Sequence, residues 1–344
     1  MLKIGNTLFS TPCLLAPMAG ISDLPFRMIN RAFGCEFAFV EMVSARALVY
    51  GNKNTREMLS TVPADRPLGI QLLGDDPRVL REALDILRDY RFDILDLNAA
   101  CPVGKVTGRG EGAGLLKDPR KTGELLRVLV DNSPVPVTVK IRAGWDESSR
   151  NATEIARAAR DAGVSGLFIH GRTREQGYSG RVDYRIIREV KEALDIPVIA
   201  SGDAFSPHLV KRMLDETGCD GVAIARGALG NPWIFRETRE FLRSGITPQR
   251  PGPDEIADTM TRHLDLCIDF YGETVGVMIF RKFFSWYTRG LPAMKPLRGQ
   301  AFLAKTREQL LAVAGAMRLA RDSVPCHGAF AGNPDFYLSM YESF

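Results

Sequence analysis

No stretch of the 344 residues reaches the roughly 18 consecutive apolar positions of a membrane-spanning helix. The start, Met1-Leu2-Lys3-Ile4-Gly5, has neither the basic opening nor the apolar run of a secretory leader, so the expected address is the cytoplasm and no membrane partner is expected. Cysteine is sparse. Six residues, at 13, 35, 101, 219, 267 and 326, form no C-x-x-C pair and lie at no zinc-ligand spacing from the four histidines at 170, 208, 263 and 327. Free thiols and no metal are the expectation. Glycines 108, 110, 112 and 114 cluster, yet the G-x-G-x-x-G spacing is absent, and so is a Walker A motif. A dedicated nicotinamide domain is thus missing, and any NADPH or NADH should visit only briefly. Acidic residues are locally missing too. Between Glu273 and Glu308 there is none, against seven cations: Arg281, Lys282, Arg289, Lys295, Arg298, Lys305 and Arg307. The chain as a whole is only +4, so this one-sign stretch stands out and suits a polyanion.

What is present is the composition of a globular protein, with 45% apolar and 25% charged residues, which argues against disorder and against a coiled coil. Eight short apolar runs recur, at 13–16, 37–43, 68–73, 94–98, 136–141, 166–170, 197–201 and 221–225. Their spacing of about 30 residues is that of a β-α-β unit, and near-continuous apolar runs suit strands covered on both faces. Between them the pattern predicts helices, including 76–91, 151–162 closed by Gly163, and 206–217 opened by Ser206-Pro207. Eight such units predict an α/β fold, a (β/α)8 TIM barrel, with an open doubly wound sheet as the competitor. A small hairpin turning at Gly5-Asn6 precedes it. The expected organisation is a barrel over residues 1–245, a Pro- and Gly-rich linker at 246–254, a helical bundle over 255–321 with helices 256–271 and 300–320, and a tail at 322–344 without assigned role. Most aromatics of the basic stretch (Phe280, Phe283, Phe284, Trp286, Tyr287, Phe302) are read as bundle core and the cations as a phosphate-binding face.

In such a barrel the active site lies where the strands end. Those ends carry Pro17-Met18-Ala19, Gln71, Asp96-Leu97-Asn98 with Cys101 beyond, Lys140, His170-Gly171-Arg172, Ser201-Gly202-Asp203 and Ala225-Arg226. Small residues admit a flat ligand. Gln71 offers a donor and an acceptor to a heterocycle edge. Lys140, deep in an apolar run, needs an anionic or acceptor partner. The loops after the seventh and eighth strands have the small residues and the cation of a phosphate site. Flavin mononucleotide (FMN) matches both ends. Each residue also has a plainer reading: a core histidine, a structural ion pair of Lys140 with Asp96 or Glu41, an inert buried thiol. Joint placement at one rim favours function.

The segments 16–27 (A-P-M-A-G-I-S-D-L-P-F-R), 96–105 (D-L-N-A-A-C-P-V-G-K), 139–145, 170–174, 200–203 and 225–235 resemble the tRNA-dihydrouridine synthases, bacterial members above all, in order from about residue 3 to 321. The resemblance implies an FMN barrel with a helical domain that holds tRNA. It implies that Pro17, Met18 and Ala19 line the flavin, that Gln71 and Lys140 contact its ring, and that His170, Ser201, Gly202, Asp203, Ala225 and Arg226 hold its phosphate end. Cys101 would donate a proton to the base and Asn98 would sit beside it. Lys105, Arg109, Arg172, Arg281 and Lys282 are the candidate substrate or tRNA contacts. Where the family commonly has Met-Gly before the cysteine, this chain has Ala99-Ala100; it also has Ser201 for a frequent Asn and Ala225 for a Gly.

The implied reaction is reduction of the C5–C6 double bond of uridine by NAD(P)H through FMN, with tRNA as partner and a monomer as the expected state. A flavin barrel acting on a free pyrimidine and a tRNA-binding protein without redox activity are the rivals. The basic appendage argues against the first, and the set Cys101, Lys140 and Arg226 against the second.

Overall fold

In the computed structural model of the protein, residues 1–319 are described. The tail 322–344, the end of the 255–321 region and position 320 of the expected helix 300–320 lie outside them. Among the described residues ten strands occur: β1 (Leu2–Ile4), β2 (Thr7–Phe9), β3 (Cys13–Leu15), β4 (Ala38–Ser44), β5 (Leu68–Leu73), β6 (Ile94–Ala99), β7 (Val137–Arg142), β8 (Gly166–His170), β9 (Val198–Ser201) and β10 (Gly221–Ile224). β1 and β2 form the antiparallel hairpin. The other eight run parallel and close into a barrel, β10 pairing with both β9 and β3. This is the (β/α)8 barrel expected from the eight apolar runs. Helices cover its outside, which is why those runs are apolar on both faces.

Several covering helices begin at the same local signal, a capping side chain followed by proline. Asp76 accepts from the backbone N–H of Arg78 ahead of Pro77–Leu87, Asp118 from that of Lys121 ahead of Pro119–Asn132, and Ser206 from that of Leu209 ahead of Pro207–Thr217. Helix 76–91 was expected to run four residues further than it does. Past Leu87 the N–H groups of Asp89 and Tyr90 reach back three residues rather than four, and the chain turns toward β6.

Inside the barrel, alternate residues face inward. The layer at the N-terminal end is apolar: Leu14, Phe37, Phe39, Ile94, Phe168, Ile199 and Ala223, sealed by Leu2, Ile4 and Phe9 of the hairpin. Phe39 meets Phe37 edge-on at 4.8 Å and Phe168 at 5.5 Å. One step further along the same strands the inward residues turn polar, with Gln71, Asp96 and Thr138, then Asn98, Lys140, His170 and Ser201. The plug of rings therefore ends where a polar floor begins.

After the barrel come helices Pro253–Tyr271, Glu273–Tyr287, Lys295–Leu303 and Arg307–Leu319. The single helix expected over 300–320 is two. The break is at Ala304, whose carbonyl accepts from the Arg281 guanidinium, and at Lys305-Thr306, where Gln309 Oε1 takes the Lys305 N–H at 2.6 Å. Phe280, Phe283, Phe284 and Tyr287 are buried as expected for core aromatics, whereas Phe302 is 70% exposed. These helices pack on the barrel through Phe26, which stacks on Phe283 at 5.7 Å, and through Gly230, where a Cβ would stand 2.2 Å from the Trp286 backbone. No helix among the described residues is long and apolar enough to cross a membrane.

His263 sits in this junction among Phe26, Phe280 and Phe283, its Nδ1 3.1 Å from the Tyr287 hydroxyl. Burial pushes it down to about 3, with Lys282 adding to the effect. The unfolded chain takes up this proton near 6.5 and the folded one does not. Its contribution to stability is therefore complete above about pH 6.5 and is lost as the pH falls, by at most ~1.4 kcal/mol per pH unit. Between pH 7.5 and 5.5 the urea midpoint of the wild type should fall more than that of His263→Phe. Equal drops would remove His263 from the acid response.

Candidate active site

The C-terminal ends of the strands open into a cavity of about 640 Å³. All eleven residues expected at a flavin line it: Pro17, Met18, Ala19, Gln71, Lys140, His170, Ser201, Gly202, Asp203, Ala225 and Arg226. Asn98 and Cys101 line it as well, and Trp286 reaches it from the helical region. Cys101 is partly exposed, whereas Cys13, Cys35, Cys219 and Cys267 are buried.

The loop after β3 is held by its own backbone. Ser22 Oγ accepts the Met18 N–H at 2.9 Å, and Asp23 caps the helix that follows. Gly20 in the same loop is gripped from two sides, its N–H donating to Glu41 and its carbonyl accepting from Lys282 of the helical region.

The floor is a directed chain of hydrogen bonds. Thr138 Oγ1 donates to Asp96 Oδ1 at 2.7 Å, and Gln71 Nε2 donates to Asp96 Oδ2 at 2.8 Å. Asn98 Nδ2 donates to Gln71 Oε1 at 2.7 Å, and Asn98 Oδ1 accepts the N–H groups of Ala100 at 3.0 Å and Cys101 at 2.8 Å. Burial pushes the Asp96 carboxyl up to about 6, against the bonds from Thr138 and Gln71 and the charge of Lys140. Burial pushes the Lys140 ammonium down to about 8, Arg142 adding to this while Asp96 and Cys101 oppose it. Lys140 forms no ion pair with Asp96 or Glu41 within 4 Å; its bond is to Ser201 Oγ at 3.4 Å.

Around His170 the charge is positive. His170 is held well below its ordinary value by burial and by Arg142, Lys140, Arg172 and Arg226 around it. Arg172 lies 3.3 Å from its Nε2. Asp203, at φ 52°, pairs with Arg172 at 2.6 Å and with Arg226 at 3.0 Å. Gly202 has φ +116° and touches the His170 ring so closely that a Cβ would lie 3.0 Å from it. Four cations around a neutral imidazole fit a phosphate. The small side chains of Ala16, Ala19, Ala223 and Ala225 and the amide of Gln71 fit a flat heterocycle.

The expected substrate contacts divide. Lys105 and Arg109 lie on and beside the short helix Gly104–Thr107 after Cys101, outside the cavity lining, and Arg109 Nε donates to the Lys105 carbonyl. Arg172, expected on the substrate side, is 2% exposed and committed to Asp203 and to the Ser179 carbonyl. It follows β8 and lies beside His170, outside the cavity lining. Arg281 and Lys282 both donate to carbonyls of this chain, Ala304 and Gly20. Arg298 likewise holds Thr288, and Arg307 holds Asp265. Much of the basic stretch is therefore engaged within the fold.

Two residues escaped the sequence reading. Arg142, 2% exposed, donates to the carbonyls of Ala100 at 2.7 Å, Thr173 at 3.0 Å and Gly177 at 2.8 Å. Its signal was available: two positions after Lys140, it shares the inward face. Tyr178, 5.5 Å from Arg142 and 5.2 Å from Arg226, arrives on a loop whose path has no sequence signature. No cluster of His, Cys, Asp or Glu among the described residues could hold a metal ion.

The family model for dihydrouridine synthase matches residues 14–320. A probable tRNA-dihydrouridine synthase of Rickettsia conorii is 39% identical over 300 residues, 87% of this chain and 91% of that protein. The tRNA-dihydrouridine synthase B of Pseudomonas aeruginosa is 38% identical over 301 residues, 87% of this chain and 90% of its own. Among solved structures, 6-hydroxypseudooxynicotine amine oxidase of Pseudomonas geniculata shares the fold at 15% identity, with a TM-score of 0.55 over 76% of this chain and 52% of that one. The family model and these relatives span most of the chain, and this chain belongs to the dihydrouridine synthase family.

Proposed function

We propose that the protein is an FMN-dependent tRNA-dihydrouridine synthase that reduces the C5–C6 double bond of uridines in tRNA, with NAD(P)H as electron donor. The observation that carries this reading is the convergence, on one cavity, of a partly exposed thiol, a lysine and glutamine on the floor, and a cationic end. FMN, when bound, supplies the hydride for C6. Arg226, His170 and the Ser201-Gly202-Asp203 turn hold its phosphate; Gln71 and Lys140 meet its ring, the ammonium placed where negative charge develops. Cys101 delivers a proton to C5. Arg142 holds the Ala100 carbonyl just before Cys101 and so supports the loop that carries the thiol. The thiol is restored by a proton from solvent.

The uridine leaves its stack to enter the barrel mouth, at a cost of a few kcal/mol that phosphate contacts offset. Lys105, Arg109 and the cations between Glu273 and Glu308 are the proposed contacts, and Trp286 brings an aromatic face to the mouth. Purified protein should be yellow and release FMN on denaturation. In tRNA from a strain lacking the gene, dihydrouridine should disappear from at least one position. Unchanged dihydrouridine at every position would refute the assignment.

A further inference from the structure

We infer that Asp96 is a positioning residue for the proton-transfer step, because it sets the direction of the hydrogen-bond chain that ends on the Cys101 backbone. The inference rests on the reading of Cys101 as proton donor given above. Asp96 has no solvent exposure and lies between the aromatic plug and the cavity without lining the cavity, so it touches neither substrate nor cofactor. An ionised carboxylate can only accept. The amide groups above it have no such restriction: rotated by half a turn, Gln71 and Asn98 occupy the same volume with donor and acceptor exchanged.

Register places these groups in one row. Gln71 is opposite Asp96 across β5 and β6, and Asp96 is opposite Thr138 across β6 and β7. Because Asp96 Oδ2 accepts, Gln71 must present its NH2 downward and its oxygen to Asn98. Asn98 must then present its NH2 to Gln71 and its oxygen to the N–H groups of Ala100 and Cys101. The acceptor at the base and the two backbone N–H groups at the top demand the same sense of the amides between them, and Asp96 is the end that a side-chain substitution removes. Reversing the row would set Asn98 NH2 against two backbone N–H groups, which cannot bond to it.

Two substitutions separate direction from charge. Asp96→Asn can keep the direction: its oxygen accepts from Gln71, its NH2 donates to Thr138 Oγ1, and the Thr138 hydrogen turns to the Leu95 carbonyl, 3.4 Å away. Asp96→Leu removes the acceptor at similar volume, and Asp96→Ala serves if the leucine variant does not fold. Three readouts on flavin-loaded protein are needed. They are the alkylation rate of Cys101 by iodoacetamide, followed on its peptide; the reduction of the flavin by NADPH; and the single-turnover reoxidation of pre-reduced enzyme by tRNA. Asp96→Leu should shift the alkylation rate and slow reoxidation by about tenfold or more, the size of effect a misplaced reacting group produces, beyond any change in NADPH reduction, which reports the Gln71 contact with the flavin. Asp96→Asn should match wild type in all three. Impairment of Asp96→Asn equal to that of Asp96→Leu would assign the effect to the charge beside Lys140 and overturn the inference. So would an Asp96→Leu or Asp96→Ala protein with unaltered alkylation and reoxidation. Alkylation reports the loop whether or not the thiol donates the proton. An alkylation shift with unaltered reoxidation would therefore locate the failure in the proton-donor reading.

Discussion

Cys101→Ala should retain its flavin and its oxidation of NADPH, yet reduce uridine in tRNA about 10²- to 10⁴-fold more slowly, the usual contribution of a positioned general acid. The confinement of the effect follows from the geometry. Cys101 stands on the loop beyond β6, while the Ser201-Gly202-Asp203 turn and Arg226 follow β9 and β10. The loop is held through backbone atoms, by Asn98 on the Cys101 N–H and by the Ala113 N–H on the Cys101 carbonyl at 3.0 Å. Removing the sulfur therefore leaves the loop in place. The measurement is single-turnover reoxidation of pre-reduced enzyme by tRNA, beside steady-state NADPH oxidation. Wild-type reoxidation in the variant would take the proton-donor role from Cys101.

Arg226→Ala should weaken FMN retention by about 10- to 100-fold, since a hydrogen bond to a charged group contributes roughly 1.5–3 kcal/mol. The guanidinium lies over Tyr178 and Phe205 at 5.2 Å each and is paired with Asp203. Its loss removes positive charge from the proposed phosphate site and leaves Asp203 paired with Arg172. Equilibrium dialysis of stripped protein against FMN and against riboflavin separates the two ends of the cavity. The variant should lose its preference for FMN while binding riboflavin as the wild type does. Equal weakening toward both ligands would place Arg226 elsewhere than at the phosphate.

The barrel was legible because its signal is local and repeated. Each strand is a short apolar run, and helix starts such as Asp76-Pro77 and Ser206-Pro207 are written in adjacent residues. The cavity lining was legible for a related reason: in a closed parallel barrel, the strand ends meet at one rim whatever the loops do. The helical region was less so. Glu273–Tyr287 is apolar on most sides, so no single face distinguishes it, and the break at Ala304 depends on Arg281, 23 positions away in sequence. The same long-range contacts explain the basic stretch. A count of cations cannot tell a guanidinium facing solvent from one holding a carbonyl.

Composition and spacing alone gave the number of units, their parallel strands, the strand ends that carry Gln71, Cys101, Lys140 and Arg226, and the absence of a G-x-G-x-x-G turn, while closure over an open sheet was the preferred of two outcomes. Tertiary structure decided which side chains serve the cavity and which serve the fold. It turned Arg172 inward onto Asp203, brought Arg142 under the Cys101 loop and Trp286 to the mouth, and aligned Asp96 beneath two amides. Strand periodicity follows from bond geometry between neighbours. A hydrogen-bond partner across the barrel is selected only once the whole chain has closed and buried polar groups must find what lies within reach.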